Sequence, residues 1–149
     1  MTFAATERKG AVSMNEVWKP VSGYEASYEV SNTGKVRSID RSITTGRIKG
    51  KELTQTLLPC GYLEVSLWAG NKGKHKRVHR LVASAFCEKR DGCDEVNHKD
   101  GNKLNNHADN LEWCTKSENM IHAYRTGLQT KGRYPIKKYR RADNEQLHD

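Results

Sequence analysis

Long hydrophobic runs are absent from this chain, and hydrophobic residues make up only 35% of its 149 positions. A membrane-spanning helix needs roughly 20 consecutive apolar residues. The opening sequence MTFAATERKGAVSMNE also has no apolar centre of the kind that defines a signal peptide. We therefore expect a soluble, cytoplasmic protein with no membrane partner. The small apolar fraction also predicts small cores joined by long loops.

Cysteine is scarce as well, with four residues that form no C-x-x-C pair. Such pairs supply the ligands of many zinc sites, and closely spaced cysteines build the disulfide framework of small secreted domains. We expect neither a four-cysteine zinc site nor a disulfide framework. The four residues are interpreted as reduced thiols: Cys60, Cys87, Cys93 and Cys114.

Acidic residues are the minority among the charged groups. The 18 Asp and Glu are outnumbered by 26 Lys and Arg, which gives a net charge of +8. An excess of this sign favours a polyanionic partner, although it could also serve solubility alone. Nucleic acid is therefore the first partner to consider.

The first part of the chain is divided by its composition. Residues 1–14 show no periodicity, and we expect them to be disordered. Residues 15–56 begin with two short strands around the turn Asn32-Thr33-Gly34 and continue as a polar, exposed loop from residue 42. Basic residues lie on or beside the second strand and in that loop: Lys35, Arg37, Arg41, Arg47, Lys49 and Lys51.

A second hairpin and a helix are predicted next. Apolar residues occupy every second position from Leu63 to Leu67, which indicates a half-buried strand. A turn at residues 70–73 leads to a returning strand, and VHRLVASAF has the spacing of a short helix. A candidate phosphate-binding strip lies here: Lys72, Lys74, Lys76, Arg77 and Arg80. Three aromatic residues are interpreted as core: Trp68, Phe86 and Trp113.

The stretch VNHKDGNKLNNHADNLEWCTKSENMIHAY, residues 96–124, is rich in asparagine and histidine. Asparagine weakens helices and strands, so core packing does not explain this composition. The pattern predicts a strand at DEVNH, a turn-rich loop and a returning strand at LEWCT. A helix follows, with Thr115 or Ser117 as its N-cap and Gly127 near its end. Residues 94–125 therefore form a ββα unit.

Side chains of this unit suit one divalent metal ion, Mg²⁺ or Mn²⁺, with water completing its coordination. The first strand brings residues 97 and 98 towards the same point as Asn119 on the helix. An imidazole at His98 can take a proton from water near neutral pH, while a metal ion polarises a phosphodiester. Asn110, at the end of the loop, can bond the loop backbone.

Several blocks carry a resemblance to a known family. His98, Asn110 and Asn119, within EVNHKDGNKLNN and NLEWCTKSEN, resemble the signature of HNH endonucleases of the phage and intron-borne homing type. VHRLVASAF is similar to the same subgroup. VWKPVSGYEASYEVSNTGKVRSI resembles a small DNA-binding module common beside such nucleases. Together these blocks cover about residues 15–125.

The resemblance implies an α+β fold, with small antiparallel β hairpins and a short helix followed by the ββα-metal motif. It implies a DNA-binding module at residues 15–56, an HNH nuclease domain at residues 57–127 and a basic C-terminal tail at residues 128–149. The partner would be double-stranded DNA. The protein would act as a monomer or weak dimer in a bacterial or phage-infected host cell.

The resemblance also implies roles for individual residues. His98 is the general base, Asn97 and Asn119 are metal ligands, and Asn110 is structural. Relatives often have Asp or His where this chain has Asn97, so Asp100 is an alternative carboxylate ligand. Ala123 stands where some relatives have a histidine ligand.

Two other interpretations stay open at this point. A DNA-binding protein with a decayed nuclease site fits the amide at position 97 and the missing histidine at position 123. A structural zinc module could instead use Cys93, His98 and Cys114. Of the remaining histidines, His79 is interpreted as packed at the start of a helix, and His122 as pointing away from the face of Asn119.

Overall fold

The computed structural model describes residues 15–128. The predicted disordered N-terminus, residues 1–14, lies outside the described residues, and so does the predicted basic tail beyond residue 128. Within residues 15–128, neither helix has the length and apolar character needed to cross a membrane.

The N-terminal part consists of two small antiparallel sheets. Strands β1 (Trp18–Pro20), β2 (Tyr28–Ser31) and β3 (Val36–Ser38) form one sheet, in that order, and β4 (Arg41–Ile43) pairs with β5 (Gly46–Ile48). The predicted strands around the turn at residues 32–34 are confirmed. The prediction of a loop from residue 42 is wrong, because backbone pairing forms the β4–β5 hairpin although its mostly exposed side chains show no apolar alternation.

The central part is a three-stranded sheet followed at once by a helix. Strands β6 (Thr56–Leu57), β7 (Leu63–Ala69) and β8 (Lys72–Arg77) are antiparallel, and α1 (Val78–Phe86) begins at the next residue. Strand β8 starts two residues earlier than predicted. The core prediction for Trp68 is wrong: it is 54% exposed. It lies on the outward face of β7, alternating with buried Leu67, and packs beside Gly73 of β8.

The C-terminal part is the predicted ββα unit. Strands β9 (Glu95–His98) and β10 (Leu111–Cys114) are antiparallel, a 3-10 turn (Ala108–Asn110) precedes β10, and α2 (Lys116–Arg125) follows it. Thr115, rather than Ser117, is the N-cap of α2. Its hydroxyl accepts from the Glu118 backbone N–H and the Glu118 carboxylate accepts from the Thr115 N–H, which forms a capping box.

A single apolar cluster joins these three parts. It takes side chains from the N-terminal sheet, from β7, from α1 and from the β9–β10 pair: Tyr28, Val30, Val36, Val65, Leu67, Val78, Val82, Val96, Leu111 and Trp113, among others. Burial of this surface is the main force that holds the parts together. The boundary predicted between residues 56 and 57 therefore falls within one shared core.

Candidate active site

Strand β9 and helix α2 form the walls of an open cleft of about 300 Å³. The side chains of Asn97, His98 and Asn119 all line it. The structure thus brings together the three residues to which the sequence assigned chemistry. Other residues that line the cleft include Tyr62, Glu95, Lys103, Lys116, His122 and Ala123.

His98 is held in a defined position at the end of β9. Its side chain is buried, and its Nε2 lies 2.9 Å from Oδ1 of Asn106, which is also buried. Burial lowers the pKa of His98 below its usual value, against an opposing effect of the Asn106 hydrogen bond. The imidazole is therefore neutral near pH 7, the state in which a ring nitrogen can accept a proton.

Two aromatic rings pack around His98. The centroid of the His79 ring is 5.2 Å from that of His98, and the centroid of the Tyr62 ring is 6.0 Å from it. His79 is buried at the start of α1, as the sequence indicated, and its Nδ1 has no partner among the described residues. Burial, with smaller effects from His98 and nearby arginines, lowers the pKa of His79 to about 3.

The two asparagines predicted as metal ligands are each bonded to a carboxylate. Nδ2 of Asn97 donates to Oε1 of Glu112 on the paired strand at 2.9 Å. Nδ2 of Asn119 donates to Oε2 of Glu95 at 3.4 Å. An amide that donates through its nitrogen keeps its oxygen available as an acceptor, and that oxygen is the atom that binds cations. Both side chains are oriented by their partners.

Asn110 bonds the two ends of the long loop. Its Oδ1 accepts from the backbone N–H of Asp100 at 3.0 Å, and its Nδ2 donates to Oδ1 of Asp100 at 2.9 Å and to the carbonyl of Asn105 at 2.8 Å. The Asp100 carboxylate also accepts from Asn102 and Asn105. These bonds, with Asn105 the strongest effect, lower the pKa of Asp100.

The structure does not bring every candidate to the cleft. Asp100 does not contribute to its lining, because its carboxylate is turned into the loop. His122, which the sequence placed away from the face of Asn119, lines the cleft, and its Nε2 lies 3.0 Å from the carbonyl of Lys99. Residues three apart on a helix share a face, so the spacing did indicate this position.

Four residues of the site escaped the sequence analysis: Tyr62, Glu95, Asn106 and Glu112. Strand periodicity could have found Glu95, because residues two apart on a strand lie on the same side and Asn97 was already a candidate. Glu112 follows only from the register of β9 with β10. Asn106 and Tyr62 reach the site through a loop and a separate sheet, and the sequence carries no signal for either.

The zinc hypothesis fails on geometry. Among residues 15–128, no three His, Cys, Asp or Glu side chains are placed to hold a metal ion, so Cys93, His98 and Cys114 do not form a site. All four cysteines are free thiols. Burial raises the pKa of Cys114 to about 12, which keeps it in the protonated form that binds metals poorly.

The candidate phosphate-binding strip does not form one face. Lys74 lies opposite Leu67, and Lys76 opposite Val65, on the face of β8 that turns towards the core side of the sheet. Arg77 is on the other face, 5.1 Å from the ring centroid of Tyr62. Lys103 stands 4.7 Å from the same ring, so cations flank the aromatic residue in the lining of the cleft.

The basic residues of the N-terminal sheet differ in their availability. Arg37 donates through Nε and Nη2 to the Glu29 carboxylate, at 2.8 and 2.6 Å, and its guanidinium lies over the ring of Trp18. Lys35 makes a longer ion pair with Glu16, at 3.5 Å. Nη1 of Arg41 is buried without a hydrogen-bond partner in the described part of the chain.

The fold and the cleft define a class. A ββα unit that collects a neutral imidazole and two amide side chains, each bonded to a carboxylate, in one open cleft has the parts of a metal-dependent nuclease site. The surrounding small antiparallel sheets and the positive charge of the chain agree with that class.

Comparison with known proteins gives the family. The sequence matches the NUMOD4 motif over residues 16–68 and the HNH endonuclease family over residues 76–121. A solved structure described as DNA binding and cleavage by the HNH homing endonuclease I-HmuI is similar, with a TM-score of 0.64 and 39% identity, over 87% of this chain and 68% of that one. The chain belongs to the HNH homing endonuclease family.

Curated relatives are longer than this chain. It is 46% identical over 103 residues to DNA endonuclease I-HmuI of Bacillus phage SP01, which is 69% of this chain and 55% of that protein. It is 39% identical over 122 residues to the uncharacterized HNH endonuclease L245 of Acanthamoeba polyphaga mimivirus, 82% of this chain and 34% of that protein. The chain therefore spans about half or less of these relatives.

The NUMOD4 match runs past residue 56, so the predicted division between residues 56 and 57 lies inside it. That division stays a prediction.

Proposed function

We propose that this protein hydrolyses phosphodiester bonds in double-stranded DNA, with one Mg²⁺ or Mn²⁺ ion bound in the cleft between β9 and α2. The observation that carries the proposal is the meeting of buried His98 with the oriented amides of Asn97 and Asn119 in one cleft. Membership of the HNH family supports the reaction class, and divalent metals are general in that family.

The residues of the cleft fit such an ion. Their donors are oxygen atoms, which hard cations prefer, and the open cleft leaves room for water ligands. Asn97 and Asn119 would hold the ion through Oδ1. The carboxylate of Glu95 lies beside Asn119 and supplies the negative charge that the two amides lack. Asp100 is better assigned to the loop that Asn110 closes.

The ion supplies Lewis-acid stabilisation of the phosphate oxygens. The residues of the chain supply the general base and orient the metal ligands. His98, neutral because it is buried, accepts a proton from the attacking water. Glu112 and Glu95 each hold one ligand amide by a hydrogen bond, so that little reorganisation would be needed when DNA binds.

The DNA would lie across the mouth of the cleft. Arg77 and Lys103, which both contact the ring of Tyr62, and Lys116 at the start of α2 would contact phosphates next to the reacting one. Arg41 and Lys35 would extend the contact along the N-terminal sheet. One cleft cuts one strand, so a monomer would nick, and a double-strand break would need two copies or two successive events.

Plasmid relaxation tests the proposal. We expect the parent chain to nick supercoiled plasmid with Mg²⁺ or Mn²⁺, and His98→Ala to be slower by about 10²- to 10⁴-fold, the usual contribution of a general base. Gel shifts should show unchanged DNA binding, because His98 is buried and makes no surface charge. Cleavage by His98→Ala at the rate of the parent would contradict its assignment as base.

The same assay separates the proposal from a decayed nuclease. A decayed site predicts gel-shift binding that persists in chelator and no cleavage with any divalent metal. The observation that favours this alternative is the amide at position 97. The carboxylate of Glu95 in the cleft weighs against it, because the site then keeps a negative charge for a cation.

We further propose that the protein acts in the cytoplasm of a bacterial or phage-infected cell.

A further inference from the structure

Asn106 is the side chain that bonds the imidazole of His98. It lies in the loop before the 3-10 turn, it is buried, and its Oδ1 is 2.9 Å from Nε2 of His98. An amide oxygen can only accept a hydrogen bond, so Nε2 must carry the ring proton. In a neutral imidazole the other nitrogen, Nδ1, is then the one that can accept a proton from water.

The N-terminal sheet holds Asn106 in place. Gly34, in the turn between β2 and β3, lies so close that an added Cβ would come within 2.9 Å of the Cβ of Asn106 and 3.2 Å of its carbonyl oxygen. Gly34 also has φ +97, a conformation that other residues avoid. This position therefore needs glycine for two separate reasons.

Hydrogen bonds fix this turn against the nuclease loop. The backbone N–H of Ala108, two residues after Asn106, donates to the carbonyl of Asn32 at 2.8 Å. On the other side of the turn, Nε2 of Gln55 donates to the carbonyl of Gly34 at 2.7 Å. The turn is thus bonded on both sides of its closest contact with Asn106.

We infer that Asn106 is a positioning residue that sets the tautomer of His98, and that the turn at residues 32–34 of the NUMOD4 segment holds Asn106 for that purpose. The N-terminal segment then has a part in catalysis beyond contact with DNA, because its turn packs against the residue that bonds the general base. The inference rests on the proposed role of His98. The first measurement of the test therefore does not depend on DNA cleavage.

The first measurement is NMR of the full chain, ¹⁵N-labelled at histidine, with His98 assigned from the spectrum of His98→Ala. We expect the parent to show the proton on Nε2, in slow exchange with water. Asn106→Leu, which keeps the size of the side chain but removes the acceptor, should speed this exchange on the order of tenfold or more. Asn106→Asp, which keeps an acceptor, should restore slow exchange. Asn105→Ala should match the parent, because Asn105 bonds Asp100 instead.

The second measurement compares two glycines of the N-terminal sheet. Gly34→Ala and Gly23→Ala both place alanine at a positive φ, +97 and +82, but nothing lies within 4 Å of a Cβ at Gly23. Backbone strain is common to both variants, and only Gly34→Ala displaces Asn106. We expect Gly34→Ala to disturb the His98 signal and to lower the saturating cleavage rate about 10- to 100-fold with little change in half-saturating DNA. Gly23→Ala should do neither.

Three outcomes overturn the inference. They are a His98 proton on Nδ1 in the parent, an unchanged His98 signal in Asn106→Leu, and equal effects of the two glycine variants. If Gly34→Ala does not fold, Gln55→Met replaces it, because it removes the bond to Gly34. This variant should disturb the His98 signal in the direction seen for Asn106→Leu. An unchanged signal would contradict the role of the turn. A parent that shows the Nε2 proton but never cleaves DNA would instead contradict the proposed function.

Discussion

At the scale of single residues, the amide at position 97 determines how much charge the cleft offers a cation. Asn97 lies directly opposite Glu112 on β10 and donates to it at 2.9 Å. An aspartate at position 97 would be a stronger ligand for a hard cation. It would also stand beside the Glu112 carboxylate without a proton between them, and the two negative charges would repel.

This pair gives a prediction for metal dependence. We expect Asn97→Asp with Glu112→Gln to lower the Mg²⁺ concentration for half-maximal nicking, because the glutamine amide can donate to the new carboxylate. Asn97→Asp alone should gain less, since the repulsion remains. The measurement is a Mg²⁺ titration of plasmid nicking, with Glu112→Gln as the control. If Asn97→Asp alone needs less Mg²⁺ for half-maximal nicking than the double variant, Glu112 does not orient position 97.

His79 gives a prediction for stability against pH. Its pKa is about 3 in the folded protein and near 6.5 in the unfolded chain. The unfolded state therefore binds more protons between these values, and stability must fall as pH falls through that window, by about 1.4 kcal/mol per pH unit. In urea unfolding from pH 7 to 4, His79→Phe should show a shallower loss than the parent. The exposed His107→Phe should follow the parent, and identical slopes for all three would contradict the prediction.

At the scale of elements, helix α2 depends on a cap that also positions Asn119. Thr115 caps the helix, and Asn119 follows four residues later, still within the first turn. Thr115→Ala should reduce the free energy of unfolding by about 1 kcal/mol and raise the Mg²⁺ requirement for nicking. Ser117→Ala is the matched control, because Ser117 makes no capping bond. Equal losses in urea unfolding would contradict the assignment of the cap.

The elements also show which sequence patterns are informative. Strands β2, β3, β7, β8, β9 and β10 and both helices were predicted from apolar periodicity and turn residues, and α2 also from its capping residues. The hairpin of β4 and β5 was missed because its side chains are mostly exposed, so only backbone hydrogen bonds define it. Trp68 was misplaced because its residue type suggests a core, although its position in the alternation of β7 indicates solvent.

At the scale of the whole molecule, the basic residues are divided between two faces. If DNA crosses the cleft, Arg77 and Lys103 contact phosphates while Lys72 and Lys74, which are exposed on the other side of β8, do not. Each lost phosphate contact reduces the salt slope of binding by about 0.9.

Two double variants of equal charge change test this arrangement. We expect Arg77→Gln with Lys103→Gln to flatten a plot of log affinity against log salt concentration by about 1.8. Lys72→Gln with Lys74→Gln should leave the slope near that of the parent. The measurement is fluorescence anisotropy with labelled duplex in chelator, so that no cleavage occurs. A larger change from the lysine pair would place the DNA on the opposite face.

The sequence by itself determined the ββα unit and the candidates His98, Asn97 and Asn119, because these follow from local periodicity and from residue types, but it left the N-cap open between Thr115 and Ser117. It also determined the family, through blocks of motif in a fixed order. Only the tertiary structure decided what surrounds those residues. The pairing of Asn97 with Glu112 depends on strand register, and the contact of Gly34 with Asn106 joins residues 72 positions apart. Such contacts arise from the packing of one shared core, and no local pattern encodes them.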